Sequence, residues 1–459
     1  MLIAGGIVCL ALVTLATPGA TRMFSSPWSL AYAGVLIAPA LVLVLRAFDR
    51  RRPLALPAPA WLGSILATAA TILLSAFASP HRHQSLLWGA PLLAGTAVFL
   101  LVFDGLHAGS DRVAAQREWQ ENLFVALFAL VACASIGLWL AHLPRLAPGT
   151  VFDTRNPFPL GHSNYTAGLA LLMLPTAVAM AVRRRGRWRF AAATLVVLSL
   201  AMLFTSGSRG GFLGLAVLAM AALIAAPIGR RQRWQLAALG AIAGLAFAAG
   251  HPRTRAMFAR PDPGAAPNIS NVQRQAMLTA AWRMGADRPL LGWGPGTTPL
   301  GFPRYRAGLD GGAENVLQLH CLPAHLWAEL GAAGAACLLA FMALVIRAAT
   351  RHPVAAATLG AYGIFALTDW QLDVPVFAAS AATFAALLAS LALPAASNPI
   401  GYSSPRGAGG FIAGFALLAL GCIALLGRRD PAPELNVRAL ALAREPAGAD
   451  RAIALFRES

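Results

Sequence analysis

The sequence predicts an all-α, polytopic membrane protein of about 12–13 transmembrane helices, with one long outer loop that contains a helix of its own. Three observations predict it. The 459 residues are 58% hydrophobic and only 12% charged, at a mean hydropathy of +0.64, whereas a soluble domain carries about 25% charged residues. The apolar residues form long continuous runs rather than alternating ten-residue strands, which excludes a closed barrel. The basic residues are also unevenly divided between successive loops, as the loops of a membrane protein are.

The apolar runs begin near Leu2, Trp28, Trp61, Leu86, Leu123, Tyr165, Phe190, Gly210, Leu236, Leu322, Val354, Val374 and Phe411, and each gap holds charge, Pro or Gly. Met1 to Thr17 has no positive n-region and reads as a first span rather than a signal peptide. All 36 basic residues are arginines. Loops after even-numbered runs hold 17 of them, including Arg46, Arg183, Arg184, Arg230 and Arg347. The opposite short loops hold 5: Arg22, Arg82, Arg145, Arg155 and Arg209. The rich side is cytoplasmic by the positive-inside rule, so the segment near 250–319 lies outside. The chain then divides into N-terminal transmembrane helices at 1–141 and central ones at 142–250. An outer loop at 251–319, C-terminal transmembrane helices at 320–427 and a tail at 428–459 follow.

Composition removes several functions. A chain without lysine has no Schiff-base residue, no pyridoxal phosphate anchor and no phosphate-loop lysine. The net charge of +18 flanks the spans, and no basic stripe interleaved with aromatics marks a nucleic-acid partner. Five scattered cysteines show no metal spacing, and Asp369 and Asp373 read as too few and too isolated for a magnesium site. No metal or cofactor is expected.

In the outer loop, Asn268 to Asp287 reads as a helix capped by Ser270 or Asn271. Met277, Leu278, Ala281 and Trp282 favour one face, which places this helix along the membrane surface. Gly292-Trp293-Gly294-Pro295-Gly296 follows as a tight turn.

Polar residues gather at three outer span entrances: Gly161-His162-Ser163-Asn164, Thr205-Ser206-Gly207-Ser208-Arg209-Gly210-Gly211, and His320-Cys321. Each opens a helix whose N-terminus points outward, where unpaired N–H groups and the dipole attract an anion. Arg209 adds a bidentate donor, and His320 is positioned to accept a proton. Each residue also has a plainer reading. Arg209 can be a snorkelling flank residue, Arg274 a headgroup contact, His162 and Asn164 a helix cap, and His320 an interfacial histidine. Their joint appearance on one side of the membrane favours a site.

The order of these motifs resembles the O-antigen ligase family. Ser208-Arg209-Gly210-Gly211 is similar to that family's Ser-Arg-Gly element, and Arg274 with Asp287-Arg288-Pro289-Leu290-Leu291-Gly292 through Thr297 to its long periplasmic loop. His320, eleven residues before Gly331 and fourteen before Gly334, matches its His-to-Gly spacing, with Glu329-Leu330-Gly331 completing the pattern. Phe158 to Leu172 resembles an upstream element, and the likeness covers roughly Val151 to Leu393. Cys321 stands where the family carries Asn, Ser or Gln, and His325 is a competing histidine that misses the glycine spacing.

The resemblance implies a multi-pass enzyme of the bacterial inner membrane with its active site on the periplasmic side. It would take a glycan from an undecaprenyl diphosphate carrier. Arg209, Arg274 and His320 would be catalytic, with His162, Asn164, Ser208, Gly210 and Arg288 binding substrate. The acceptor would be a glycolipid (ligase), a second glycan (polymerase) or a protein (O-oligosaccharyltransferase). A transporter of lipid-linked glycan is the rival from another class, but transporters put charge near the midplane. Here the notable polar residues sit at outer span ends and the span interiors are nearly free of ionisable groups.

Overall fold

The computed structural model describes residues 28–49, 54–107, 112–143, 154–225, scattered positions between 229 and 244, 269–312, 315–392 and 449–458. Among these residues every regular element is a helix, as expected where a bilayer leaves backbone groups no partners but their own. In chain order they are α1 (Trp28–Ala47), α2 (Pro59–Ala78), α3 (Arg82–Leu106), α4 (Arg112–His142), α5 (Ser163–Arg183) and α6 (Gly186–Ser206). Next come α7 (Arg209–Ala225), α8 (Ile269–Asp287), α9 (Thr298–Tyr305), α10 (Leu322–Ala349), α11 (Pro353–Ala366), α12 (Pro375–Leu391) and α13 (Ala449–Glu458). Six of the described helices are long and apolar enough to cross a membrane, and four shorter apolar ones pack among them. The protein is therefore an all-α, multi-pass membrane protein. The runs near Leu2 and Phe411 lie outside the described residues, and the run near Leu236 is described only at scattered positions.

The bundle has a clear inside. Phe99, Phe103, Phe365 and Phe377 are entirely or almost entirely buried, while Leu74, Val197, Leu339 and Ile346 face outward, as side chains in contact with lipid do. Small residues allow close helix approach. A Cβ on Gly214 of α7 would stand 3.0 Å from the Ala361 carbonyl of α11, and one on Gly210 would collide with Thr368. Two buried carboxylates stand toward the ends of spans rather than at their middles. Asp104 of α3 takes Arg46 at 2.9 Å and the Ala55 amide at 2.9 Å. Glu329 of α10 is likewise buried and bonded. Both carboxylates persist because each is paired or hydrogen-bonded.

The outer loop is locked to the bundle through a break in α10. Gly331 has φ +63°, ψ −154°, a conformation essentially confined to glycine, and the break frees backbone groups on either side of it. The segment after α8 takes them up: Trp293 N donates to Ala328 O at 3.0 Å and Gly294 N to Glu329 O at 2.8 Å, while Ala332 N donates to Pro289 O at 2.7 Å. Ser75 of α2 adds a bond to Leu291 O at 2.6 Å. The glycines of the turn, Gly292, Gly294 and Gly296, all have positive φ and lie too close to Glu329, Ser79 and Trp88 for a side chain. This bracing explains the glycine motif on both strands of the contact.

Helix α8 lies on α10 through Met277, Ala280, Ala281 and Met284, against Phe302, Tyr305, Leu319 and Ala328. Two expectations change here. Ser270 and Asn271 fall within the first turn of α8 rather than before it. Leu278 and Trp282 are 48% and 67% exposed, so the four apolar residues do not share a face: Met277 and Ala281 pack inward, and the other two point out. Trp282 instead stacks on Trp327 at 5.6 Å.

Candidate functional site

The outer ends of α5, α6, α7, α10 and α11 converge, and the site is built from what terminates them. His320 precedes the N-cap of α10 and has φ +48°, the one non-glycine positive φ among the described residues. A left-handed histidine costs about 1–3 kcal/mol and persists only where its surroundings fix it. Here the fixing contact is Asp369, in the loop after α11: His320 Nδ1 lies 2.6 Å from Asp369 Oδ1. Asp369 is fully buried, and its other oxygen accepts Gln371 Nε2 at 3.1 Å. Burial alone would raise the Asp369 carboxyl, but the hydrogen bond and charge of His320, with help from His162 and Gln371, hold it below its ordinary value. An ionised Asp369 requires the proton on Nδ1, which leaves His320 Nε2 as a base.

His162, the N-cap of α5, stacks on His320 with ring centroids 6.0 Å apart. Its side chain does not cap the helix. Burial holds its imidazole below the ordinary value, and Asp369 offsets that only in part. Asn164 does not point at a ligand site in isolation: its Oδ1 accepts Arg155 Nη2 at 2.6 Å and its carbonyl accepts Gln371 Nε2 at 2.8 Å. Arg155 Nε also donates to the Ser206 carbonyl at 2.7 Å, at the C-terminal end of α6 where a cation is favoured. Arg155 thus ties two helix ends together beneath the histidines.

The arginines occupy the opposite wall. Arg209 opens α7 and donates to Asn271 of α8 at 3.3 Å. Arg274, one turn further along α8, is half-buried and makes no hydrogen bond or ion pair among the described residues. Burial lowers its guanidinium from the usual value, and the like charge of Arg209 lowers it further, while Asp369 and Cys321 act the other way. Two guanidiniums held within electrostatic reach of each other are a receptor for an anion of more than one charge.

The remaining expected residues separate by role. Ser208 caps α7, its Oγ accepting Gly211 N at 3.3 Å, and Gly210 provides the close approach of α7 to Thr368 and Phe365. Arg288 stands apart from this group. Its guanidinium lies 4.5 Å from the Trp293 ring and donates to the Ala78 carbonyl at 3.4 Å, so it braces the loop against α2. Asp369 and Asp373, read from the sequence only as too few and too isolated for a magnesium site, each have a partner of another kind: the turn between α11 and α12 brings one to His320 and the other to Gln318 at 2.7 Å. Their spacing of four residues, flanking Trp370 and Gln371, is the signal a sequence reading had available. His325 is not the free alternative to His320: its Nε2 lies 3.0 Å from Glu329 Oε2. Among the described residues no group of three or more His, Cys, Asp or Glu is arranged to hold a metal ion.

Residues 194–339 match the family model described as O-antigen ligase. The match takes in Arg209, Arg274, His320, Gly331 and Gly334, and leaves out His162, Asn164, Asp369 and Asp373. No curated protein matches the chain.

Proposed function

We propose that this chain, whose residues 194–339 carry the O-antigen ligase family domain, transfers a glycan from an undecaprenyl diphosphate carrier to an acceptor hydroxyl at the periplasmic face of the inner membrane. The observation that carries the proposal is one juxtaposition: a histidine oriented by a buried aspartate, 2.6 Å away, beside two arginines on adjoining helices. The arrangement separates the two demands of the reaction. Arg209 and Arg274 bind the diphosphate and stabilise the charge that grows on it as the bond to the anomeric carbon breaks. His320 Nε2 takes the proton of the acceptor hydroxyl as its oxygen forms the new glycosidic bond. The carrier departs as undecaprenyl diphosphate with the bonding electrons, and attack opposite the leaving group inverts the anomeric centre.

Asp369 fixes the tautomer and plane of His320 and balances the imidazolium formed in the step. His162, neutral and stacked on His320, lines the path of the acceptor without competing for its proton. Arg155 and Asn164 set the position of α5, and Ser208 and Gly210 that of Arg209. Surface-polysaccharide ligation is the preferred reaction, with polymerisation and protein glycosylation as the related outcomes.

The test is complementation of cells that lack their own ligase, read by gels of surface polysaccharide. The wild-type chain restores attachment, whereas His320→Ala and Arg209→Ala do not, and Arg347→Ala at the cytoplasmic end of α10 does. Wild-type attachment by both site variants contradicts the proposal.

A further inference from the structure

Asp369 meets His320, and one side chain in turn holds Asp369. Gln371, in the same turn between α11 and α12, is only 2% exposed. Its Nε2 donates twice: to Asp369 Oδ2 at 3.1 Å and to the carbonyl of Asn164, in the first turn of α5, at 2.8 Å. Its Oε1 is buried without a hydrogen-bond partner among the described residues. Turning the amide over would set that oxygen against a carboxylate and a carbonyl, both acceptors, so the two donor bonds fix which way the amide lies. The unpaired oxygen is a cost to folding that those bonds offset.

Helix α5 is shaped to admit this amide. Gly168 follows Asn164 by four residues and so lies on the same helix face, one turn along. A Cβ on Gly168 would collide with the Gln371 amide and stand 3.0 Å from the Phe365 ring. Only a residue without a side chain leaves Gln371 the room to reach both acceptors. The other end of the contact is anchored as well, since Asn164 Oδ1 accepts Arg155, whose Nε donates to the Ser206 carbonyl at 2.7 Å. Gln371 therefore fastens Asp369 to the outer ends of α5 and α6 rather than leaving it on a loop.

The two oxygens of Asp369 divide the work. Oδ1 lies 2.6 Å from His320 Nδ1, and Oδ2 is taken by Gln371. A carboxylate free to turn about its Cβ–Cγ bond would carry the imidazole with it. We propose that Gln371 is a positioning residue of the transfer reaction: by holding Asp369 Oδ2 it fixes the carboxylate, and through it the direction in which His320 Nε2 faces the acceptor hydroxyl. The proposal rests on the glycan-transfer reading, and it adds a residue that lies outside the matched segment 194–339. Gln371 touches no substrate. It acts at one remove, where a shift of about 1 Å costs up to about a hundredfold in rate.

The experiment measures steady-state transfer by the purified full-length protein, with undecaprenyl-diphosphate-linked glycan and a soluble acceptor sugar. It compares the wild type with Gln371→Met, Gly168→Ala, Asp369→Asn and each of the first two combined with Asp369→Asn. Gln371→Met keeps the length of the side chain and removes both donor bonds. Gly168→Ala leaves the glutamine in place and displaces its amide, so the proposal remains testable if Gln371→Met folds poorly. Each of the two is expected to lower kcat by about tenfold to a hundredfold, with both KM values within about threefold of the wild type. In the Asp369→Asn background the same substitutions are expected to cost less than about twofold, because a residue that acts through Asp369 has nothing left to act on. An equal loss in both backgrounds, an unchanged kcat in Gln371→Met, or a raised KM at normal kcat overturns the assignment of Gln371 alone. A wild-type protein that transfers no glycan overturns instead the reading on which it rests.

Discussion

His320 and Asp369 are 49 residues apart in the chain and 2.6 Å apart in the fold, with the aspartate wholly buried and the histidine held at a positive φ. A side chain in so constrained a setting has its reactive nitrogen aimed by the scaffold rather than by its own rotamer preferences. If the pair acts as base and orienting group, His320→Ala lowers the transfer rate by about 10²–10⁴. Asp369→Asn falls in the same direction, because an amide no longer requires the proton on Nδ1. Both leave donor KM nearly unchanged in a steady-state assay. A selective rise in KM with normal kcat would assign them to binding instead.

Arg209 and Arg274 are expected to act as a unit. Each alanine variant loses about 10²–10³ in kcat, and the double variant loses less than the product of the two, as groups that serve one charge do. Measured rates for the two singles and the double decide this. Strict multiplicativity would mean that the arginines serve different parts of the substrate.

The loop brace predicts a contrast between glycines. Gly331→Ala forces a side chain into a backbone conformation worth about 1–3 kcal/mol and against the Pro289 and Leu290 carbonyls. Gly360→Ala meets nothing within 4 Å and is neutral or slightly stabilising by about 0.5–1 kcal/mol, since alanine is the better helix former. Thermal unfolding of the two purified variants checks the contrast, and equal melting temperatures would remove the brace as a source of stability.

How much of this was legible beforehand depends on the range of the signal. The spans rest on local composition, and two arginines of the Arg-rich loops, Arg46 and Arg184, form ion pairs at the end of the bundle opposite His320. His320, Arg209 and Arg274 were legible through motif order. Asp369 was not, because its spacing from Asp373 marks a polar turn after a short apolar helix but does not announce a partner 49 residues away. Arg288 was misplaced for the converse reason: it is adjacent to a motif, but its guanidinium turns to Trp293 and the Ala78 carbonyl. The inward face of α8 was half legible, since Met277 and Ala281 pack as expected while Trp282 finds a partner outside the core.

Asp373 gives a pH prediction. Burial pushes its carboxyl up to about 7 from an ordinary 3.8, with Glu329 adding to the rise and His325 and Gln318 opposing it. The folded state therefore keeps a proton that the unfolded chain releases above about pH 4. Its contribution to stability is complete below that pH and is lost as pH rises toward and through about 7. Relative to Asp373→Asn, the wild-type melting temperature should fall between about pH 5 and pH 7.5. Parallel curves would place the group in water.

The most direct test of the account is transfer by the purified protein from synthetic undecaprenyl-diphosphate-linked glycan to an acceptor, with the new linkage and the released carrier measured together. The account predicts one undecaprenyl diphosphate released per glycan transferred, an inverted anomeric configuration, and loss of both products in His320→Ala. Equal product formation by His320→Ala, or a retained configuration, would contradict it.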